Sequence, residues 1–271
     1  MLARLALLVC LVAGLTACQG LPDLSIPQGT QPTPVGGAGS PAAAPGGPVA
    51  PVATPLFGTE ETPQPVTLEV KVIEEEAETP AYRVRARYPY LTGGGSPYLA
   101  DFNQRIETLV LGEIGRFAQE VSAGGGRTGL LTIDFLPTLL DPRMVSVQLK
   151  VTTFLQGAPH MNTTSRALNY DLQRGQPLAL ADLFQAGSPY LQTLSDASIT
   201  DLRDRNVLQW EAGAQPREEN FQVWNLTPEG LLITFDEYRV ADYTAGPQTV
   251  LIPYDRLSEI ANPTGPLSFL Y

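Results

Sequence analysis

One imidazole, His160, stands in the run Gly157-Ala158-Pro159-His160-Met161-Asn162, and histidine is the usual acid–base side chain near neutral pH. A catalytic histidine needs partners. No Gly-x-Ser-x-Gly elbow accompanies it, and one imidazole with two cysteines, Cys10 and Cys18, cannot supply the ligands of a zinc centre. His160, with Asn162 beside it, is read as a residue that ties a turn or as a ligand contact. Asp236 and Glu237 form a carboxylate pair, but glycoside hydrolysis needs carboxyl groups about 5 to 9.5 Å apart across a sugar, and neighbours on a strand point to opposite faces. The run Gly124-Gly125-Gly126-Arg127-Thr128-Gly129 lacks the Gly-Lys-Ser/Thr ending of a phosphate loop and reads as a turn.

The residues left to do chemistry therefore suit binding better than catalysis. Tyr238 and Tyr243 follow Asp236 and Glu237 closely, and aromatic rings beside charges are common anchors of protein interfaces. Trp224, Tyr238, Tyr243 and Tyr254 can stack on sugars, anchor a partner or pack internally. Arg83, Arg85 and Arg87 alternate along one strand face, which suits solvent or an anionic wall polymer. The candidate binding set is His160, Asn162, Asp236, Glu237, Tyr238 and Tyr243. No catalytic residues, metal or cofactor are expected.

Charge narrows the partners. The 271 residues carry 17 basic and 28 acidic side chains, a formal charge of −11, which disfavours nucleic acid because phosphate binding relies on Lys and Arg. Setting aside Arg4, Asp23, Glu60 and Glu61 leaves about −9 on residues 66–271, a field that attracts a basic protein.

The elements that must position these residues begin late in the chain. Residues 5–12 are an almost unbroken apolar run, too short for a bilayer of ~30 Å, and the run closes on Leu15-Thr16-Ala17-Cys18. This ending resembles a bacterial lipobox, so residues 1–17 read as a lipoprotein signal peptide. Cys18 is then the lipidated first residue of the mature protein, held on the outer face of a membrane. Residues 18–65 are dominated by Pro, Gly, Ala, Thr and Ser, with too few large apolar groups to offset ordering entropy, and read as a disordered tether.

Residues 66–271 read as one α+β domain, an antiparallel sheet with two main helices and a short C-terminal helix. Val66, Leu68, Val70 and Val72 mark the inward side of a first strand, and Tyr82, Val84, Ala86 and Tyr88 that of a second. Ser96-Pro97 looks like the start of a helix whose apolar stripe runs through Phe102, Ile106, Val110, Ile114, Phe117 and Val121. Strands are expected at 130–140, 144–155 and 165–172. A second, more polar helix opens at Ser188-Pro189, and the last strands fall at 221–226, 231–235 and 249–252.

In this order the signals resemble a known family. Tyr88-Pro89-Tyr90-Leu91 with Phe102-Asn103, then Gly157-Ala158-Pro159-His160 with Asn169-Tyr170-Asp171-Leu172 and Leu180-Ala181-Asp182-Leu183-Phe184, then Phe235, Tyr238, Val240, Tyr243 and Ile252-Pro253-Tyr254 are similar to the RsiV/PdaC-type extracytoplasmic domain. That domain occurs in a lysozyme-responsive anti-sigma factor and ahead of a peptidoglycan deacetylase. The resemblance implies a non-enzymatic binding or sensor module in the bacterial cell envelope. Its partners would be the membrane, through Cys18, and a basic wall hydrolase such as lysozyme, or else a wall glycan. An enzyme or accessory domain acting on peptidoglycan is the alternative. Pro159 departs from the family's more usual Gly-Ala-His run.

Lipidation at Cys18 has a direct consequence. Cys18→Ala should move the protein from the membrane fraction to the soluble one, because the acyl chains that hold it there attach only to that thiol. Unchanged fractionation and unchanged mature mass would contradict the assignment.

Overall fold

The computed structural model describes residues 65–268. The expected signal peptide, the expected lipidation site Cys18 and all of the expected tether but Pro65 lie outside the described residues. No helix among the described residues is long and apolar enough to cross a membrane.

The first layer is a six-stranded sheet backed by one long helix. Its elements are β1 (Val66–Glu78), β2 (Ala81–Gly93), α1 (Leu99–Ala123), β3 (Gly129–Leu140), β4 (Met144–Leu155), β5 (Asn162–Asp171) and the two-residue β6 (Gln176–Pro177). The strands lie in chain order. Every neighbouring pair is antiparallel except β2 and β3, which run parallel from Tyr82↔Gly129 to Ala86↔Ile133. The second layer holds α2 (Tyr190–Asp204) and a three-stranded antiparallel sheet of β7 (Trp224–Leu226), β8 (Gly230–Phe235) and β9 (Gln248–Pro253).

The α+β class and its two main helices agree with the sequence, and the short closing helix is a 3-10 turn, Tyr254–Leu257. The expected purely antiparallel sheet does not hold. α1 carries the chain back across the sheet before β3 begins, so β3 enters in the same direction as β2 and the first sheet is mixed. The last three strands leave it altogether and form their own sheet.

α1 is placed by its stripe. Phe102, Ile106, Val110, Ile114, Phe117 and Val121, spaced three or four residues apart, are all buried against Tyr82, Val84, Ala86, Ile133 and Val147. Full burial of such side chains contributes roughly 1.5–3 kcal/mol each. Polar ties fix the helix along its length. Buried Asn103 accepts from the Leu91 amide at 2.7 Å and donates to the Leu91 carbonyl at 2.9 Å. Near the middle, buried Glu113 is held by Arg166 of β5 and by Arg116. Tyr170 of β5 donates to Asp101 at 2.5 Å, and burial with that bond pushes the phenol well above its ordinary range. Ser96 is no helix cap: its hydroxyl donates to the Leu172 carbonyl and accepts from the Tyr98 amide, and α1 starts at Leu99.

β1 departs from its expected pattern. Val70 and Val72 are exposed, while Lys71 and Ile73 turn inward. On β2 both Tyr88 and Pro89 are buried, so the inward side of that strand changes there, and β1 follows because its thirteen pairings with β2 are unbroken. The guanidinium face of β2 is exposed as expected, and its charges are answered by acids: Glu76 faces Arg83, Glu74 faces Arg85 and Asp134 of β3 faces Arg87.

Each layer has its own apolar core, the second taking in Leu139 of β3 and Met144 of β4, and a buried polar seam also joins them. Ser146 of β4 donates to Asn169 Oδ1 of β5 at 2.6 Å and accepts from Asn225 Nδ2 and the Leu226 amide of β7 at 2.9 and 3.0 Å. Asn169 donates to the Trp224 carbonyl at 2.8 Å. Further along, Gln148 donates to Thr234 of β8. β7 therefore sits across β4 and β5 on the sheet face opposite α1.

Asn169→Leu keeps the branched shape but leaves the Ser146 hydroxyl proton without its acceptor and the Trp224 carbonyl without its donor. Urea denaturation should show a loss of about 2–4 kcal/mol, against less than about 0.5 kcal/mol for exposed Leu136→Ala. Equal effects of the two substitutions would contradict the role given to the seam.

Candidate functional site

Four aromatic side chains from three separate segments meet on the surface. The His160 ring stacks on Tyr243 with centroids 4.2 Å apart and planes within 5°. Its Nε2 lies 3.1 Å from the Tyr238 hydroxyl, and its Nδ1 lies 2.8 Å from the Met161 carbonyl. A carbonyl can only accept, so Nδ1 carries the proton of the neutral ring and Nε2 accepts from Tyr238. Trp210 lies nearly parallel to Tyr238, with centroids 6.5 Å apart. Trp210, Tyr238 and Tyr243 are 42 %, 51 % and 45 % exposed, and Met161 beside them 55 %.

Each ring is aimed by local backbone chemistry. His160 sits in the β4–β5 connection, where Gly157 takes a positive φ of 87° that an L side chain rarely adopts. Tyr238 follows β8 in a turn closed by its own amide on the Ala241 carbonyl and by the Arg239 amide on the Asp236 carbonyl. It too lies in the left-handed region, at φ 64°, an uncommon place for a residue with a Cβ. Tyr243 opens a 3-10 turn, Tyr243–Ala245, capped by Asp242, whose Oδ1 accepts from the amides of Thr244 and Ala245. Hydrogen bonds from Thr244 and Gln209 hold the Asp242 carboxyl below its ordinary range. Because this pKa is depressed in the fold, the capped turn is fully formed above the ordinary carboxylate range and loosens as pH falls through the lowered value. Trp210 is set by the Glu211–Ala214 turn that follows it, and its amide donates to the Val240 carbonyl. Gly213 there packs so closely that a Cβ would lie 1.8 Å from the Arg239 carbonyl oxygen, so only glycine allows the two turns to meet.

Of the sequence-derived candidates, the structure brings His160, Tyr238 and Tyr243 into direct contact. Asn162 is exposed at the start of β5, two residues from His160. Asp236 is half-buried and structural: its Oδ1 accepts from the Ser165 amide of β5 at 2.9 Å, which ties the second sheet to the first. Glu237 is half-buried, and its Oε2 is shielded from solvent without a hydrogen-bond partner. Trp224 and Tyr254 are buried and belong to the core. Trp210 was not among the candidates. The signal that could have found it is Gly213, three residues on, in a stretch with neither helical nor strand periodicity.

Among the described residues no three His, Cys, Asp or Glu side chains form a group able to hold a metal ion. A groove of about 500 Å³ runs along α1 past Gln104, Thr108, Leu109 and Leu168, and its one carboxylate, Asp101, is already engaged by Arg105 and Tyr170.

Residues 181–255 match the family described as Protein of unknown function (DUF3298). The match spans α2, β7 to β9 and three of the four clustered rings, leaving His160 outside. The chain is also 25 % identical over 135 residues to the peptidoglycan-N-acetylmuramic acid deacetylase PdaC of Bacillus subtilis, covering 48 % of this chain. It spans 29 % of the length of that deacetylase. Crystal structures of DUF3298-family proteins from Bacteroides fragilis and Pseudomonas aeruginosa PAO1 share the fold, each with a TM-score of 0.51, at 16 % and 18 % identity. They cover 74 % and 75 % of this chain, and 95 % and 96 % of their own. The folded region is similar to the DUF3298 family and to part of PdaC, the likeness its motifs suggested.

The left-handed backbone at Tyr238 costs stability that glycine would recover. Tyr238→Gly should leave folding stability unchanged or raise it by up to about 1 kcal/mol in urea denaturation, although it deletes a large side chain. A loss above about 1.5 kcal/mol would mean that the ring serves the fold.

Proposed function

We propose that the folded region is a non-enzymatic binding module that works in the cell envelope, outside the cytoplasm. Lipid on Cys18 holds it at a membrane, and Trp210, Tyr238, Tyr243 and His160 recognise a basic wall hydrolase of the lysozyme type. The observation that carries this reading is the ring cluster itself: three aromatic side chains more than 40 % exposed, yet held by stacking, capping and a left-handed residue. A structure that spends backbone strain to keep apolar rings in water has a use for them. Aromatic rings supply the largest contact energies in protein interfaces. The charge of about −9 on residues 66–271 favours a cationic partner and speeds its encounter.

Likeness to a deacetylase named for peptidoglycan supports an envelope location and a role connected with the wall. Support for binding rather than catalysis comes from the site. Both His160 nitrogens are engaged, and Asp236 is bound to a backbone amide. A wall glycan is the second reading, favoured by the flat, stacked faces of His160 and Tyr243.

Surface plasmon resonance on the chain lacking residues 1–18 separates the readings. Hen lysozyme as a basic hydrolase should bind, with an association rate that falls as salt rises from ~0.05 to ~0.3 M. Trp210→Ala and Tyr238→Ala should each weaken it at least about tenfold, and Arg85→Ala should not. Binding of soluble peptidoglycan fragments that is indifferent to salt, with none to the hydrolase, would overturn the first reading in favour of the second.

A further inference from the structure

We propose that β1 is a self-pairing edge, through which two copies of this chain join their six-stranded sheets into one. This inference is independent of the aromatic cluster. Among the described residues β1 pairs with β2 alone, so its outer edge presents unpaired backbone donors and acceptors along thirteen residues. Sheet edges are normally blunted by charge, and β1 is blunted unevenly. Glu74, Glu75, Glu76 and Glu78 guard its second half. The first half carries only Glu69 and Lys71 among Val66, Thr67, Leu68, Val70 and Val72, and Val70 and Val72 are each 44 % exposed.

The register follows from symmetry. In a two-fold antiparallel pair, opposed residues have numbers that add to a constant, and the constant must be even, because the axis maps hydrogen-bonded pairs onto hydrogen-bonded pairs. Centring on Val70 sets Val70 against Val70, Leu68 against Val72, and Glu69 against Lys71 twice. Centring one residue earlier opposes Glu69 to its own copy, and one residue later opposes Lys71 to its own copy. Centring on Val72 opposes Glu69 to Glu75 and Val70 to Glu74. Centring on Ile73 pairs Lys71 with Glu75 but sets Glu74, Glu76 and Glu78 against Val72, Val70 and Leu68. Only the Val70 register among these matches opposite charges while covering both exposed valines with apolar side chains, and opposed charges on neighbouring strands stabilise a pair while like charges weaken it. It leaves Glu75, Glu76 and Glu78 beyond the paired stretch, in water. The partner that fits this edge is a second copy of the chain.

Cysteine cross-linking on the full chain tests it. Val70→Cys, opposite its own copy, should give a covalent dimer under mild oxidation well above the level given by the unsubstituted chain. Glu76→Cys should not. Adding Lys71→Glu to Val70→Cys should cut the dimer about tenfold, and adding Glu69→Lys as well should restore it. The restored variant controls for misfolding. No dimer from Val70→Cys, equal dimer from Glu76→Cys, failure of the double reversal to restore it, or a cross-link to a different protein would each overturn the proposal.

Discussion

The arrangement depends on one buried hydroxyl. Ser146 is fully buried on β4, bonded to Asn169 on β5 and to Asn225 and the Leu226 amide on β7. Apolar burial drives each layer to form, but it is non-directional and does not choose where one layer sits on the other. A polar seam in a low-dielectric interior does choose, because any other docking leaves several donors and acceptors unpaired. Asn225 is not wholly satisfied even here, since its Oδ1 has no hydrogen-bond partner.

That docking assembles the ring cluster. His160 belongs to the first layer, at the turn between β4 and β5, whereas Trp210, Tyr238 and Tyr243 belong to the second. The Asp236 carboxylate on the Ser165 amide is a second tie close to the cluster, so the gap between the layers is fixed where the rings meet. Positioning is costly locally: Tyr238 is left-handed, and Gly213 is pressed against the Arg239 carbonyl. Such local strain persists only where the surrounding structure overdetermines it.

Much of the fold was legible because its signals are periodic. The stripe of α1 and the alternation of β2 as far as Tyr88 appear in the structure as read. The sequence motifs have physical content as well: Asn103 closes on the Leu91 backbone, Asn169 holds the seam, Tyr170 reaches Asp101, and Asp171 caps the turn at Gln173 and Arg174. Four things were not legible. Strand direction depends on where α1 returns the chain, which no local pattern encodes. The change of inward face at Pro89 belongs to the pair β1–β2 rather than to either strand alone. Trp210 lies in a stretch without periodicity, and its place is set by a contact with residues almost thirty positions later. Asp236 was read as a binding residue because nothing in the sequence marks a carboxylate that accepts from a distant amide.

The central claim is that the docked layers present one rigid binding face made by the four rings. Hydrogen–deuterium exchange of the chain with and without hen lysozyme tests it most directly. Exchange should slow only in 157–162, 209–214 and 236–246, with α1 and the arginine face of β2 unchanged. Protection centred on α1 or on Arg83, Arg85 and Arg87, with the three ring-bearing segments untouched, would contradict it.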